Sequence, residues 1–486
     1  MKKLKNLIPV FICMAFASFI VSCGGDDEPC DGKSCAANEV LDAVSCACIP
    51  VETAACNGKT CAAGEILDAA TCNCVSTAVC NGKTCPVGEL LDAATCNCVP
   101  QSNEVNVTDN ITTDVTWTSD KIYILTTRIA VTSGACLTIE AGTIIKGEAG
   151  AEANATALVI ARGAKIMAEG TAEAPIIFTS VADEIQSGMI ASPNLPVTVN
   201  GLWGGLIILG NAPISADAQA VQIEGIPPSD QNGLYGGTVA DDNSGVLRYV
   251  SIRHGGTDIG EGNEINGLTL GGVGSGTVID HVEVISNVDD GIEWFGGTVN
   301  ATNCLVWGQG DDGFDADQAW SGTLDNFIYI AGSDSDHALE LDGPEGNTLG
   351  TYTMKNGTLK GGTGEYADLR DFVTVNLENL YFFGFSSSSD LEFDHNGVAQ
   401  NYLDGTVNLT NLQFNTSHLT DGNLTIEQII VEKTNSDQGD TAPLNVFATK
   451  PIDPSNIVTT TPTVGATVSE FMGWTWASVD GQLNGF

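Results

Sequence analysis

From residue 101 onward, apolar and polar residues alternate in short stretches that end in Gly, Asn or Asp. Period-two alternation with such stops predicts strands joined by tight turns. One strand type recurs with a polar residue at a fixed place. Ile279-Asp-His281-Val-Glu-Val is followed by Ala301-Thr-Asn303-Cys-Leu-Val, Leu324-Asp-Asn326-Phe-Ile-Tyr, Met354-Lys-Asn356-Gly-Thr-Leu, Leu377-Glu-Asn379-Leu-Tyr-Phe and Leu409-Thr-Asn411-Leu-Gln-Phe, at steps of 22, 23, 30, 23 and 32. Earlier, the run from Leu137 through Gly142 matches that from Leu158 through Gly163, a shift of 21. Recurrence near 22 residues predicts an all-β fold, a parallel β-helix over 101–430 with loops inserted in the longer coils. The Asn column predicts a bend at which each side chain bonds its copies one coil up and down. Residues 431–486, with Trp474 and Trp476, are expected to cover the open last coil.

A second strand type carries acids. Its copies start at Gly267-Leu268, Gly291-Ile292, Gly313-Phe314, Ala338-Leu339, Leu369-Arg370 and Leu391-Glu392. Alternation sends Ile292, Trp294, Phe314, Ala316, Leu339, Leu341, Leu391 and Phe393 inward, and Glu293, Asp315, Asp317, Glu340, Asp342, Glu392 and Asp394 outward. Asp289, Asp290, Asp311, Asp312, Asp334 and Asp336 fill the turns before three of these strands. Carboxylates stacked at roughly 5 Å repel one another. Such a column needs raised pKa values, bound cations or interleaved bases. Arg370 is the base read in the column, and Ca²⁺ is the expected cation, held by Asp290, Glu293, Asp315, Asp317, Glu340, Asp342, Glu392 and Asp394. A solvated acidic face is the plainer alternative. No EF-hand loop is present.

Composition narrows the function. Asp plus Glu number 61 against 18 Lys plus Arg among 486 residues, a net charge of −43, which excludes a nucleic-acid binder working by phosphate neutralisation. Hydrophobic residues make up 43%, enough for a large core, and the 56 glycines suit many turns.

The first 22 residues read as an export signal: Lys2, Lys3 and Lys5, then an apolar run from Leu7 to Val21, too short for a comfortable membrane span. Ser22-Cys23 resembles a bacterial lipobox, with Ile20 in the usual Leu place, which implies a lipid on Cys23 and an outer-membrane location. Gly24-Gly25-Asp26-Asp27-Glu28, within the tether 23–29, resembles the surface-export signal of Bacteroidota lipoproteins and implies display toward the exterior. Removing the signal takes three lysines and brings the charge to −46. The membrane is then reached through the lipid alone.

Residues 30–100 hold three copies of C-x4-C-x10-C-x-C: Cys30, Cys35, Cys46 and Cys48; Cys56, Cys61, Cys72 and Cys74; Cys80, Cys85, Cys96 and Cys98. Four cysteines in so few apolar residues predict two disulfides per copy and a stapled stalk, with the pairing left open. Four thiolates could instead hold zinc, but export and the absence of CxxC pairs favour disulfides. Cys136 and Cys304 lie in apolar runs and are expected as buried thiols.

The Asn column and coil length resemble the pectin-lyase-like right-handed β-helix superfamily over about 101–430. The stretches NGLWGGLIILGNAPI, from Asn200, and GVLRYVSIRHGG, from Gly245, look like Bacteroidota surface proteins of that class. The resemblance offers an enzyme reading. Asn287-Val288-Asp289, Gly310-Asp311-Asp312, Asp336-His337 and Arg370 are similar to the motifs of polygalacturonase-type hydrolases, on successive coils. This implies Asp312 as general acid, Asp289 or Asp311 activating water, and His337 tuning a neighbouring carboxyl. The pattern departs in Ala338 after His337 and in Phe372 where a Lys belongs. His281 takes an Asn-column place, and the other histidines form no chelating pair. Trp307, Trp320, Tyr366 and Tyr381 would stack on sugars if exposed. Asp440-Thr441-Ala442 resembles a Bacteroidota O-glycosylation site. The leading expectation is a surface lipoprotein that binds polysaccharide or surface glycans with Ca²⁺ at the acidic column. A glycoside hydrolase or lyase, and a structural surface component without ligand, are the alternatives.

Overall fold

The computed structural model describes residues 103–151, 154–257, 265–420 and 422–486, preceded by three short antiparallel hairpins. The hairpins pair Glu39–Leu41 with Cys48–Pro50, Glu65–Leu67 with Cys74–Ser76, and Glu89–Asp92 with Asn97–Pro100. Each falls at the same place in its cysteine repeat. Cys98 is disulfide-bonded. The other repeat cysteine side chains and Cys23 lie outside the described residues.

From Glu104 the chain winds as a parallel β-helix. One face is a ten-stranded parallel sheet: β1 (Ile129–Val131), β2 (Leu158–Ile160), β3 (Leu206–Leu209), β4 (Leu268–Gly271), β5 (Ile292–Phe295), β6 (Phe314–Asp317), β7 (Leu339–Leu341), β8 (Ala367–Leu369), β9 (Leu391–Phe393) and β10 (Ile430–Glu432). The remaining solenoid strands form a seventeen-stranded sheet folded along a corner. The corner is the predicted Asn column. His281, Asn303, Asn326, Asn356, Asn379 and Asn411 all have φ between 55° and 59°. Asn tolerates this left-handed bend better than most side chains, which explains the choice beyond hydrogen bonding. Asn326 donates to Asn303 at 2.6 Å, Asn379 to Asn356 at 3.1 Å and Asn411 to Asn379 at 2.8 Å. The ladder steps sideways twice, where Asn303 donates to Asp280 at 2.8 Å and Asn356 to Asp325 at 2.7 Å.

Inside, Trp294, Phe314, Leu339, Leu341 and Phe393 are fully buried and stack coil on coil in one continuous core. Their anchor glycines matter at the turn. A Cβ on Gly291 or Gly313 would lie 2.6 Å from the carbonyl oxygen of the next coil.

Three expectations change. Leu137 registers with Ile166, not with Leu158, which belongs to the other sheet. The matched text came from two turns of one winding, where Gly142 and Gly163 share φ near 82°. Cys136 is disulfide-bonded rather than a thiol, whereas Cys304 is free and buried. With Cys304 free, the partner of Cys136 is one of the cysteines preceding it in the chain. Trp474 and Trp476 do not cover the last coil. Only residues up to Val458 continue the winding, with β10 on β9 and Ile457–Val458 on Gln413–Asn415.

Beyond Val458 the chain runs back along the outside. Thr467 N–H donates to Asn326 at 2.6 Å, and the N–H groups of Trp476 and Ala477 both donate to the fully buried Glu283 at 3.1 Å. Trp474 meets Tyr249 and His281 edge-on, and Arg253 lies 5.1 Å over the Trp476 ring. Phe471, Trp476 and Leu483 cover Ile285, Leu305, Trp307, Ile328 and Ile330. No helix among the described residues is long and apolar enough to cross a membrane.

Candidate functional site

The acidic wall is the outer face of β5–β9. Parallel register sets Glu293, Asp315, Glu340, Asp368 and Glu392 opposite one another in one row. Asp317, Asp342, Arg370, Asp394 and Lys433 form a second row, each held one coil from the next by backbone bonds such as Arg370 N–H to Leu341 O at 3.0 Å. Asp290, Asp312 and His337 form a third row in the preceding turn. There the Asp290 carboxylate accepts from Asp312 N–H at 2.9 Å, and the Asp312 carboxylate from His337 N–H at 2.6 Å.

Asp368 and Lys433 were not read from the sequence. Ala367, not Leu369, anchors its coil, so Asp368 takes the column place and Arg370 the second row. A two-residue slip keeps every side chain on its face, which is why periodicity alone did not reveal it. Lys433 follows Ile430-Val-Glu432, one more copy of the strand, hidden in the segment expected to be a cap.

The lower coils carry their own bases. Arg370 donates to both oxygens of Asp342, at 2.7 and 2.9 Å, and pairs with Glu340. Lys433 sits 2.9 Å from Asp390 and 2.6 Å from Glu392. The upper coils have no such base among the described residues. Burial, reinforced by neighbouring carboxylates, raises Asp290, Glu293 and Asp315 well above the ordinary range. Burial and Asp342 push Asp317 up to about 8. Asp315 is 7% exposed, and its Oδ1 has no hydrogen-bond partner. Ligand oxygens of Asp290, Glu293 and Asp315 lie within 4.8 Å of one another, as do those of Asp315, Glu340 and Asp342. Asp315 therefore joins two carboxylate triads.

Glu340 and Asp312 form a polarised pair. Burial and the Asp312 charge push Glu340 up to about 9. Burial would also raise Asp312, but the His337 hydrogen bond, 2.9 Å from Nδ1, holds it below the usual range. His337 in turn is raised to about 10 by Asp312 against the opposing effect of burial. A protonated Glu340 donating to Asp312 and accepting from Arg370 satisfies all three groups.

Above this wall lies a cleft of about 500 Å³. Its floor is Glu293, Asp315, Asp317 and Asp342. An inserted loop lines it through Glu224 and Tyr235, and Glu345 and Arg370 line it as well. Tyr235 pins the insertion by donating to Gln318 at 2.9 Å.

The structure divides the hydrolase-like set. Asp289 and Asp311 group with Asp290, while Asp312 groups with His337 and Glu340. Arg370 belongs with Glu340 and Asp342. Asp312 is held as a carboxylate, so of the two carboxyls in this pair it is Glu340 that carries the proton at neutral pH. Glu392 sits with Asp390 and Lys433, and Asp394 accepts from Asn435 at 2.9 Å. Trp307, Trp320, Tyr366 and Tyr381 are buried and offer no sugar platform.

No curated protein and no solved structure matches the chain. A family model does match, over residues 109–450, the span that contains the coils, the acidic wall and the cleft. With that match covering well over half of its length, the chain belongs to the pectate-lyase-like β-helix domain family.

Proposed function

We propose that the chain is a lipoprotein, anchored through Cys23 in the outer membrane and facing outward, that binds an extracellular polysaccharide in the acidic cleft with Ca²⁺. The family match supports a carbohydrate-related role. The observation that carries the metal reading is Asp315: buried, with one oxygen unpartnered, between two triads of carboxylates. A buried carboxylate in that state calls for a proton or a cation. Asp290, Glu293 and Asp315 would hold the ion, with Glu340 and Asp342 beside it; an all-oxygen donor set suits Ca²⁺. Bound there, the ion would supply positive charge to bridge the wall to an anionic saccharide. Arg370 orients the lower end of the cleft, and Tyr235 and the insertion shield it from water.

Calorimetric titration of the full chain with Ca²⁺, then with oligogalacturonate in Ca²⁺ or EDTA, tests the reading. Saturable Ca²⁺ binding that is lost in Asp315→Asn, together with saccharide binding that needs Ca²⁺, is the expected result. Absence of Ca²⁺ binding at millimolar concentration overturns it. Localisation is tested separately: Cys23→Ala should leave the membrane fraction.

The Glu340–Asp312 pair supports a second reading, acid–base cleavage of the polysaccharide. Neighbouring carboxyls with pKa values pushed apart are the usual sign of such roles. Glu340 would donate the proton, and His337 would position Asp312. Release of reducing ends or unsaturated uronates, abolished in Glu340→Gln, is the outcome that would favour it. A polysaccharide panel left uncut rejects it.

A further inference from the structure

Just below the cleft, a strained turn holds an aromatic ring out to solvent. Asp371 and Phe372 have φ of 45° and 59°, and neither is Gly or Asn. That conformation is disfavoured for a residue with a side chain, because its Cβ crowds the backbone. The surroundings enforce it. Phe372 N–H donates to His395 Nε2 at 3.3 Å, its carbonyl accepts from Asn401 at 2.7 Å, and Gln438 donates to Asp371 at 2.9 Å. The ring meets His395 edge to face at 4.7 Å. It also rests on Gly397, where a Cβ would lie 2.4 Å from two ring carbons.

Phe372 is 52% exposed, and every other Phe, Trp and Tyr among the described residues is buried or half-buried. Burial does not explain this arrangement, because so much of the ring remains in water. Arg370, two residues earlier, lines the cleft, and the Asp371 carbonyl packs so closely on Gly343, the residue after Asp342 of the cleft, that a Cβ there would lie 1.8 Å from its oxygen. The turn therefore stands on the rim.

We propose that Phe372 is a stacking platform that receives the apolar C–H face of a pyranose ring as a saccharide chain leaves the acidic cleft. This rests on the saccharide reading above and adds a subsite to it. The contact is uncharged, so it acts on neutral and acidic sugars alike and does not depend on the cation. It supplies what the buried Trp307, Trp320, Tyr366 and Tyr381 cannot.

The test is calorimetric titration of the full chain with cello-oligosaccharide and with oligogalacturonate, each with Ca²⁺ and with EDTA. Phe372→Ala should weaken the binding seen in wild type by about tenfold, the effect of uncovering half an aromatic ring, with Ca²⁺ affinity unchanged. Phe372→Trp should restore it. Phe372→Gly, which relieves the backbone, should be at least as stable as wild type while losing affinity. Equal saccharide affinity in wild type and Phe372→Ala overturns the platform and leaves the cleft reading standing. Failure of the wild type to bind either saccharide overturns both.

Discussion

The upper and lower coils of the acidic wall present similar residues in one register, yet they neutralise charge differently. In β7–β9, Arg370 serves Glu340 and Asp342, and Lys433 serves Asp390 and Glu392. In β5 and β6, Asp290, Glu293 and Asp315 are raised by burial and mutual repulsion with no base to oppose the rise, whereas Arg370 opposes it at Glu340, Asp342 and Asp368. Stacking at β-spacing brings each carboxylate close to its copies, and a base reaches only the coil beside it. Neutrality is therefore settled coil by coil, and the coils lacking a base are left to protons or to an ion from solution.

Arg370→Ala should break this contrast with the largest effect. It would leave Glu340 and Asp342 in the condition of the upper coils. A loss of about 2 kcal/mol is expected by urea unfolding in EDTA, less than for a fully buried pair because the guanidinium is partly exposed. Ca²⁺ should recover part of it. Unchanged unfolding would show that the base is not what steadies the lower coils.

A pH series in EDTA is the next lever. Glu340, Asp317 and Asp368 have native values of about 9, 8 and 7, each raised first by burial. They are above their unfolded values, so the native state binds more protons between. Their contribution is complete below about pH 4 and is lost as pH rises through 7–9. Thermal melts should fall by several degrees, on the order of 2 kcal/mol, from pH 5 to pH 9. Millimolar Ca²⁺ should flatten the slope; a melt that rises with pH in EDTA would contradict the raised values.

Paired substitutions sharpen the comparison through sign. Asp315→Asn should stabilise the metal-free protein by about 1 kcal/mol at neutral pH, since it removes a buried carboxyl that has no base and must take up a proton to be neutral. Asp342→Asn should destabilise it by a similar amount, because Arg370 loses its bidentate partner. The same sign in both would mean the two regions do not differ. Lys433→Gln should have the smallest effect, about 0.5 kcal/mol, given its exposed ammonium.

The winding, the facing of each acid and the Asn corner were legible from sequence because each depends on period alone. Register was less so: the Ala367–Leu369 coil offers two apolar anchors two residues apart, and only neighbouring strands decide between them. Lys433 escaped notice because its strand lay in a segment read as a cap. The polarity of Glu340 against Asp312 depends on burial and on a histidine one coil away. Phe372 looked like a missing lysine, since nothing in the letters tells an exposed ring from a buried one.

The returning C-terminal segment has a mechanical consequence. A stack of nearest-neighbour rungs ordinarily frays from its free end, one unit at a time. Here the final residues are fastened to Asn326 and Glu283, several windings upstream. Opening the last rung therefore strains a clasp seated on the middle of the rod, and unravelling from that terminus becomes a shared event rather than a local one.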